Sequence, residues 1–194
     1  MDSSLKLRNV PSMFKEWASH FDTPIGRCGL AWTEAGLTGV QLPEADAEQT
    51  VARITRHGAE LVKEADVPPE IAEVIAALKA FLAGDPTGFD GQRLDMARHS
   101  AFERAAYDAL RKVPWGQTVT YGDLASAIGR PGGAQAIGTA MGRNSWPVIV
   151  PCHRVLGANG WLGGFSAPGG TLTKKALLAR EGVYPDGGQL KLFE

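Results

Sequence analysis

The sequence predicts an α+β fold: a small N-terminal domain with an antiparallel sheet and helices, then a C-terminal winged-helix-like domain containing a helix-turn-helix. Two strand-like runs flank a short turn near residue 35, and segments with apolar residues at helical spacing follow them. Near residue 130, a glycine-rich connection separates two short helical segments. The expected boundaries are 1–20 for a lead-in, 21–90 and 100–182 for the two domains, and 183–194 for a tail.

Composition places the chain among soluble globular proteins. Of its 194 residues, 44% are hydrophobic and 21% are charged. No apolar run approaches the ~18 residues that a membrane span requires, so no membrane association is expected. The first residues also lack the apolar stretch of a secretory signal.

Cysteine and histidine usage predicts free thiols and no metal. The two cysteines, Cys28 and Cys152, exclude a disulfide-rich secreted scaffold and favour a cytoplasmic location. None of the histidines has a metal-ligand spacing with either cysteine. These histidines are His20, His57, His99 and His153.

Charge is unevenly distributed along the chain. The formal net charge is −1, yet residues 1–99 carry 10 basic and 15 acidic side chains, whereas residues 100–182 carry 9 basic and 4 acidic ones. This division suggests that only the second half meets a polyanion such as DNA. Chance produces differences of this size as well, so the pattern is supporting evidence only.

The N-terminal elements follow from local patterns. Residues 13–17 form a short amphipathic stretch within the lead-in, and strands at 29–32 and 37–42 flank a turn at 33–36. Helical spacing predicts helices over 45–57 and 68–83. The second helix stops at 84–88, where glycine, aspartate and proline cluster, and 85–99 is predicted to be a linker between domains.

The C-terminal half begins with a predicted helix over 101–112. Thr120 stands where a helix N-cap would, with Asp123 three residues on as in a capping box, so a helix is expected over 121–128. After a tight connection at 129–133, a second helix covers 134–143. Helix, glycine-containing turn and helix form the helix-turn-helix pattern, which many helical hairpins share.

Small residues give the second of these helices a slim face. Ala134, Ala136, Gly138, Thr139 and Ala140 suit close approach to a narrow groove, or equally close packing of helices within the protein. Arg130 in the turn is placed to contact a phosphate.

Cys152 is the candidate reactive residue. The apolar run 148–150 predicts a buried strand that ends at Pro151, directly before Cys152, His153 and Arg154. An imidazole and a guanidinium both favour thiolate over thiol. A buried structural cysteine explains the segment equally well. Spacing alone does not identify the acidic residue that would orient His153.

At these residues the sequence resembles the O6-alkylguanine-DNA alkyltransferases, also called methylated-DNA–protein-cysteine methyltransferases. The resemblance covers nearly the whole chain, weakly from about residue 21 and strongly over 102–182. It rests on several motifs in a fixed order. These are Tyr121-Gly122, Asn144 eight residues before the cysteine, Pro-Cys-His-Arg-Val at 151–155, a wing at 163–166, and Leu-Leu-x-x-Glu-Gly at 177–182.

The resemblance implies irreversible chemistry without a cofactor. The Cys152 thiolate would attack the alkyl carbon of a guanine rotated out of the duplex and become a thioether. His153 would remove the thiol proton through a water, and Glu181 would accept a hydrogen bond from the imidazole. Tyr121 would donate to the departing purine, and Asn144 would brace the backbone near the thiol. Each molecule would act once, as a monomer, on double-stranded DNA carrying O6-alkylguanine, with O4-alkylthymine as a further substrate.

Contacts to DNA or to the flipped base are assigned by the same resemblance and by position. The backbone of Val155 and the hydroxyl of Ser166 would read the base, and pocket width would depend on Trp161, Phe165 and Ser166. The full set is Arg130, Ala134, Gln135, Ala136, Gly138, Thr139, Arg143, Arg154, Val155, Trp161, Phe165 and Ser166.

The sequence departs from the family pattern at several positions. The main one is Gln135, where the family has an arginine that replaces the extruded base, because glutamine is shorter and uncharged. Ser145-Trp146-Pro147 stands where a proline usually follows the asparagine directly. Phe165 replaces a common wing tyrosine, and 168–170 adds residues to the wing.

Three functional hypotheses follow. The first is a single-use alkyl acceptor for O6-alkylguanine in DNA. The second, suggested by Gln135, is a module that binds the lesion with weak or no transfer. The third is a thiol-reactive protein that acts on small alkylating agents or free nucleobases. Transfer to Cys152 and preferential affinity for DNA distinguish the three.

Overall fold

The computed structural model describes residues 15–185, and a four-stranded sheet forms its N-terminal part. The strands are β1 (Trp17–Thr23), β2 (Gly26–Thr33), β3 (Gly36–Gln41) and β4 (Glu60–Leu61), in the order β3-β2-β1-β4 across the sheet. The first three run antiparallel, and β4 lies parallel to β1. Gly36 has a φ of 142°, and a Cβ there would lie 2.6 Å from the carbonyl oxygen of Arg93, so the turn into β3 requires glycine.

The predicted hairpin is confirmed, but it forms the second and third strands of the sheet. An additional strand, β1, begins at Trp17, inside the segment predicted as a lead-in, and pairs along its whole length with β2. Its polar residues alternate irregularly with apolar ones, which hides the strand in the sequence. The lead-in before residue 15 and the tail after residue 185 lie outside the described residues.

Two helices follow the hairpin, α1 (Ala47–Ile54) and α2 (Pro69–Ala83). Asp46 caps α1 because its carboxylate accepts a hydrogen bond from the backbone nitrogen of Gln49 at 2.7 Å, so the helix begins later than predicted. Gly84, with a φ of 102°, ends α2 where the sequence predicts. The buried face of α2 contains the predicted apolar residues Ile71, Val74, Ile75, Leu78, Phe81 and Leu82.

The C-terminal part is mainly helical. Its elements are α3 (Ala101–Leu110), β5 (Val119–Thr120), α4 (Tyr121–Ala127), α5 (Ala134–Gly142), β6 (Val155–Leu156) and α6 (Thr171–Arg180). Ser100 and Glu103 form a capping box at the start of α3. The hydroxyl of Thr120 accepts from the backbone nitrogen of Asp123 at 3.0 Å, which confirms the predicted N-cap of α4. Helices α4 and α5 form the predicted helix-turn-helix, and β5 pairs with β6 in parallel.

The segment before the candidate cysteine is a turn, and the predicted strand at 148–150 is wrong. Val148 adopts a left-handed conformation with a φ of 78°, and Pro147 and Val150 form an isolated bridge. The backbone nitrogen of Val150 donates to the carbonyl of Trp146 at 2.8 Å, which closes the turn. Burial of all three apolar residues produces the same hydrophobic run that a central strand would give.

A continuous apolar core joins the two halves of the chain. Leu37, Phe81, Leu110 and Val150 all belong to one cluster of buried residues, although they come from both sides of the predicted linker. The division into domains at 21–90 and 100–182 therefore remains a prediction. Among residues 15–185, no helix has the length and apolar character needed to cross a membrane.

Candidate active site

Cys152 lies in a cleft with only 5% of its surface exposed. It opens a 3-10 turn (Cys152–Arg154), and its backbone nitrogen donates to the carbonyl of Val150 at 2.7 Å. Asn144 donates from Nδ2 to the cysteine Sγ at 3.1 Å and to the carbonyl of Val150 at 2.8 Å. Asn144 thus holds both the thiol and the backbone that presents it.

His153, Glu181 and Arg154 form a buried polar cluster behind the thiol. The Nε2 atom of His153 lies 2.7 Å from Oε1 of Glu181, and neither side chain is exposed. Arg154 donates from Nε and Nη2 to the same carboxylate, and the backbone nitrogen of Gly116 donates to its Oε2 at 3.1 Å. The structure therefore brings together the histidine and glutamate that the resemblance pairs.

Burial has the largest single effect on the pKa values of Cys152, His153 and Glu181 in this site. It raises the pKa of the Cys152 thiol, and the hydrogen bond from Asn144 acts in the opposite direction. It also lowers the pKa of His153, against the effect of Glu181, which favours a neutral imidazole. Burial alone would raise the pKa of Glu181, but the hydrogen bonds from His153 and Arg154 outweigh it and lower that pKa. The resting site therefore holds a neutral histidine beside an ionised glutamate.

The other ring nitrogen of His153 is available as an acceptor. Its Nδ1 atom is buried and has no hydrogen-bond partner among the residues that the structure describes. With Nε2–H directed at Glu181, the neutral ring leaves Nδ1 without a proton. A buried polar atom without a partner is costly, so a functional reason for it is expected.

Lys174 of α6 is a buried cation near the thiol that the sequence does not reveal. Its side chain is fully buried, and Nζ donates to the carbonyls of Val155 at 2.6 Å and Leu162 at 2.5 Å. The ammonium also lies 5.8 Å from the centre of the Tyr121 ring. Burial lowers the pKa of Lys174 to about 8, with an opposing effect from Cys152. A lysine in a basic stretch of helix carries no sequence signal that it will be buried.

The cations around Cys152 are therefore not those expected from its sequence neighbours. Arg154 is held by Glu181, and its Nη1 donates to the carbonyl of Val113 at 2.6 Å. It is buried and does not reach the surface as the predicted DNA contact. The positive charge that favours the thiolate comes instead from Lys174, 22 residues further along the chain.

The expected base-reading role of Val155 is also restricted by Lys174. Val155 is fully buried within β6, and its carbonyl accepts the hydrogen bond from the Lys174 ammonium. Ser166 is exposed and lines the cleft beside Phe165, which is half-buried. Trp161 is 70% exposed. Of the predicted base contacts, Phe165 and Ser166 are thus the ones placed at the opening above the thiol.

The cleft has a volume of about 830 Å³ and extends from Cys152 to the N-terminal sheet. Asn144, Pro147, Phe165 and Ser166 line it near the thiol. Residues of β3 and the end of α1 line its far side. Its size leaves ample room for a flat base together with a substituent.

Helix α5 presents its slim face outward. Gln135, Ala136 and Thr139 are exposed, and Ala134 and Gly138 are half-buried. Ala140, which the sequence places on the slim face, is instead buried on the opposite face with Ile137, because it packs into the core. The slim face is therefore free to approach a groove rather than another helix. Arg130 in the turn and Arg143 after α5 are exposed as well.

Tyr121, at the start of α4, connects this surface with the wing. Gly163 has a φ of 66°, and a Cβ there would lie 3.0 Å from the Tyr121 hydroxyl, so glycine allows the wing to approach the ring closely. Burial raises the pKa of Tyr121, and the phenol therefore keeps its proton as a donor.

The second cysteine is remote from this chemistry. Cys28 is buried in β2, where burial raises its pKa to about 11. Both cysteines are free. In the described part of the chain, no group of three or more His, Cys, Asp or Glu side chains is arranged to hold a metal ion.

The chain is similar to proteins of known sequence and structure. The profile of the 6-O-methylguanine DNA methyltransferase DNA-binding domain matches residues 101–183. The methylated-DNA–protein-cysteine methyltransferase of Mycolicibacterium paratuberculosis is 38% identical over 160 residues, which cover 82% of this chain and 88% of the relative. The protein of the same name from Cricetulus griseus is 31% identical over 84% of this chain and 80% of the relative.

Solved structures agree with the sequence comparison. The Mycobacterium tuberculosis O6-methylguanine methyltransferase superposes with a TM-score of 0.69 at 36% identity, covering 86% of this chain and 92% of that one. The Mycobacterium tuberculosis OGT in complex with DNA superposes with a TM-score of 0.68 at 36% identity, covering 84% and 91%. The similarity extends over both halves of the molecule.

Proposed function

Since this chain belongs to the family of methylated-DNA–protein-cysteine methyltransferases, we propose that it repairs DNA by transferring alkyl groups from O6-alkylguanine to its own Cys152. The observation that carries this proposal is the buried thiol, held by Asn144 at 3.1 Å and backed by the His153–Glu181 pair. A buried structural cysteine would not need this arrangement of polar groups.

The reaction is a single displacement at the alkyl carbon. A bond forms between Cys152 Sγ and the carbon while the bond from that carbon to guanine O6 breaks. The thiol proton passes to Nδ1 of His153 through a water, and the ionised Glu181 stabilises the resulting imidazolium. Tyr121 donates a hydrogen bond to the departing purine anion, which takes a proton from solvent, and the imidazolium of His153 then releases the thiol proton to solvent. Because a thioether does not revert to a thiol, each molecule acts once and needs no cofactor.

Burial of the thiol selects the substrate. Because Sγ is buried at the cleft, a damaged base reaches it only by entering the cleft, so the base must leave the duplex first. The exposed slim face of α5, with Arg130 and Arg143 beside it, supports an approach to DNA. Phe165 and Ser166 would then contact the flipped base at the cleft opening. We propose double-stranded DNA with O6-alkylguanine as the partner and a cytoplasmic monomer as the working form.

The lesion-binding alternative is not favoured, because the relatives are transferases and Cys152 lies where transfer needs a thiol. The deciding experiment is intact mass spectrometry after incubation with an O6-methylguanine duplex. We expect the protein mass to rise by one methyl group in place of one hydrogen, with fragmentation locating it at Cys152. Tight binding of the lesion duplex with an unmodified thiol would reverse this conclusion.

A further inference from the structure

Trp146 joins the N-terminal sheet to the loop that holds the thiol. It stands in Ser145-Trp146-Pro147, where the sequence departs from the family pattern, and is completely buried. Its indole Nε1 donates to the carbonyl oxygen of Leu37 at 2.8 Å. Its backbone nitrogen donates to Oδ1 of Asn144 at 2.9 Å. One residue thus contacts both β3 and the side chain that braces Cys152.

The contact with Asn144 fixes the direction of its amide. Because Oδ1 accepts from the backbone of Trp146, Nδ2 is turned toward the carbonyl of Val150 and toward Cys152 Sγ, at 2.8 and 3.1 Å. A donor to sulfur stabilises the thiolate more than the thiol. The position of Trp146 therefore controls whether this donor faces the reactive atom.

The sheet holds this loop at two points. β3 is an outer strand of the sheet, where the carbonyl of Leu37 accepts from the Trp146 indole and the backbone nitrogen of Val40 donates to the carbonyl of Ser145 at 2.8 Å. On its other side the indole packs against the His99 ring at 4.9 Å and the Tyr107 ring at 6.0 Å. Hydrogen bonds from its backbone and its indole, together with these two ring contacts, therefore fix the position of Trp146.

We propose that Trp146 is a positioning residue, through which the N-terminal sheet holds Asn144 against the Cys152 thiol and thereby sets its reactivity. The proposal rests on the proposed function only in taking Cys152 as the acceptor. It assigns a catalytic purpose to the N-terminal half, which contributes few of the groups around the reacting atom.

Replacement of Trp146 by phenylalanine removes the indole donor. O6-benzylguanine, a free nucleobase substrate, reports reactivity without requiring DNA. We expect the rate of Cys152 benzylation at neutral pH to fall about fivefold, the factor that one ordinary hydrogen bond is worth, and the pH midpoint to move upward. Trp17→Phe makes the same change in β1, which β2 separates from β3, and should leave both quantities unchanged.

The pH midpoint has a defined meaning because the other groups that interact with the thiol stay in place. These groups are His153, Lys174 and the hydroxyls of Tyr107 and Tyr121. Trp146→Phe replaces none of them, and phenylalanine keeps an aromatic ring against Tyr107 and His99, the two rings that pack on Trp146. A general loss of stability would lower the amount of folded protein, but it would not move the midpoint for the molecules that remain folded.

A double-mutant cycle tests the route through Asn144. If Trp146 acts by orienting that amide, Trp146→Phe in an Asn144→Ala background should have little further effect on the rate. Should the single variant fold poorly, benzothienylalanine at position 146 keeps the ring volume and removes only the N–H. Unchanged benzylation rate and pH midpoint, or full additivity in the cycle, would overturn the inference. Absence of methyl transfer from an O6-methylguanine duplex to Cys152 of the unmodified protein would instead overturn the proposed function.

Discussion

The interior of the cleft is preorganised to a greater degree than the outer face of α5. Inside the cleft, the polar side chains behind Cys152 are buried and held by short hydrogen bonds, as with Glu181 between His153 and Arg154. On the outer face, Gln135 and Arg130 are exposed. The comparison teaches that the chemical step is organised before DNA arrives, whereas delivery of the base depends on contacts that form only on binding.

Loss of the thiol should abolish the chemistry inside the cleft without affecting DNA binding by the outer face. Cys152→Ala is expected to abolish alkyl transfer, because no other nucleophile occupies that position, and to leave the affinity for duplex DNA nearly unchanged. Transfer is measured by intact mass and affinity by fluorescence anisotropy at fixed salt. A large loss of affinity would mean that the interior also contributes to DNA binding.

Disruption of the buried cluster should impair both chemistry and stability. Glu181→Gln leaves Arg154 buried without a counter-charge, so we expect a loss of about 3 kcal/mol in the free energy of unfolding. Transfer should slow at least about a hundredfold, as the imidazolium loses its partner. Urea denaturation and single-turnover kinetics measure the two effects. Asp123→Asn, an isosteric change on the exposed start of α4, controls for removal of a carboxylate and should leave transfer nearly unchanged.

Lys174→Met should lower the transfer rate at neutral pH about tenfold, as expected if the pKa of the thiol rises by one unit. The variant should also change the dependence of stability on pH. Because burial lowers the pKa of Lys174 to about 8, the unfolded chain binds more protons between that value and the ordinary lysine pKa. The lysine contribution to stability therefore rises with pH across this window, and the variant should lose that rise.

Exposed Lys112 supplies the matched control. Lys112→Met removes the same charge outside the cleft and should leave the pH profiles of transfer and of stability as they are. If Lys174→Met and Lys112→Met behave alike, the ammonium acts only through net charge.

The smallest expected effect concerns the outer face. Gln135→Arg should accelerate transfer from an O6-methylguanine duplex about fivefold, since an arginine at the start of α5 replaces the extruded base better than glutamine and offsets part of the unstacking cost. The rate with free O6-benzylguanine should not change. Single-turnover assays with both substrates decide the matter, and slower duplex repair by the variant would contradict the interpretation of Gln135.

The sequence predicts the parts of this molecule that depend on local patterns or on short motifs. The helix-turn-helix follows from its capping residue and glycines, and the pairing of His153 with Glu181 follows from the family resemblance. Features that depend on distant contacts are missed. The turn at Val148 looks like a strand because burial, not backbone conformation, determines an apolar run.

The same limitation applies to charges. Arg154 next to Cys152 suggests a cation beside the thiol, yet the chain directs it to Glu181, and the cation comes from Lys174. A basic residue gives no local indication of which carbonyls or carboxylates the fold will bring to it. Sequence neighbours are therefore a poor guide to electrostatics around a buried group, whereas the residue types needed for the chemistry are recognisable.

Because Cys28 does not take part in the reaction, it is an internal reference for counting how many molecules still have a free Cys152. In a protein that is used up by its reaction, the number of intact molecules equals the remaining repair capacity. Cys28 is buried and its pKa is raised to about 11, so it stays out of the reaction and remains countable after unfolding. Titration of thiols in denaturant should give two per fresh molecule and one per spent molecule, which reports the unused fraction of a sample directly.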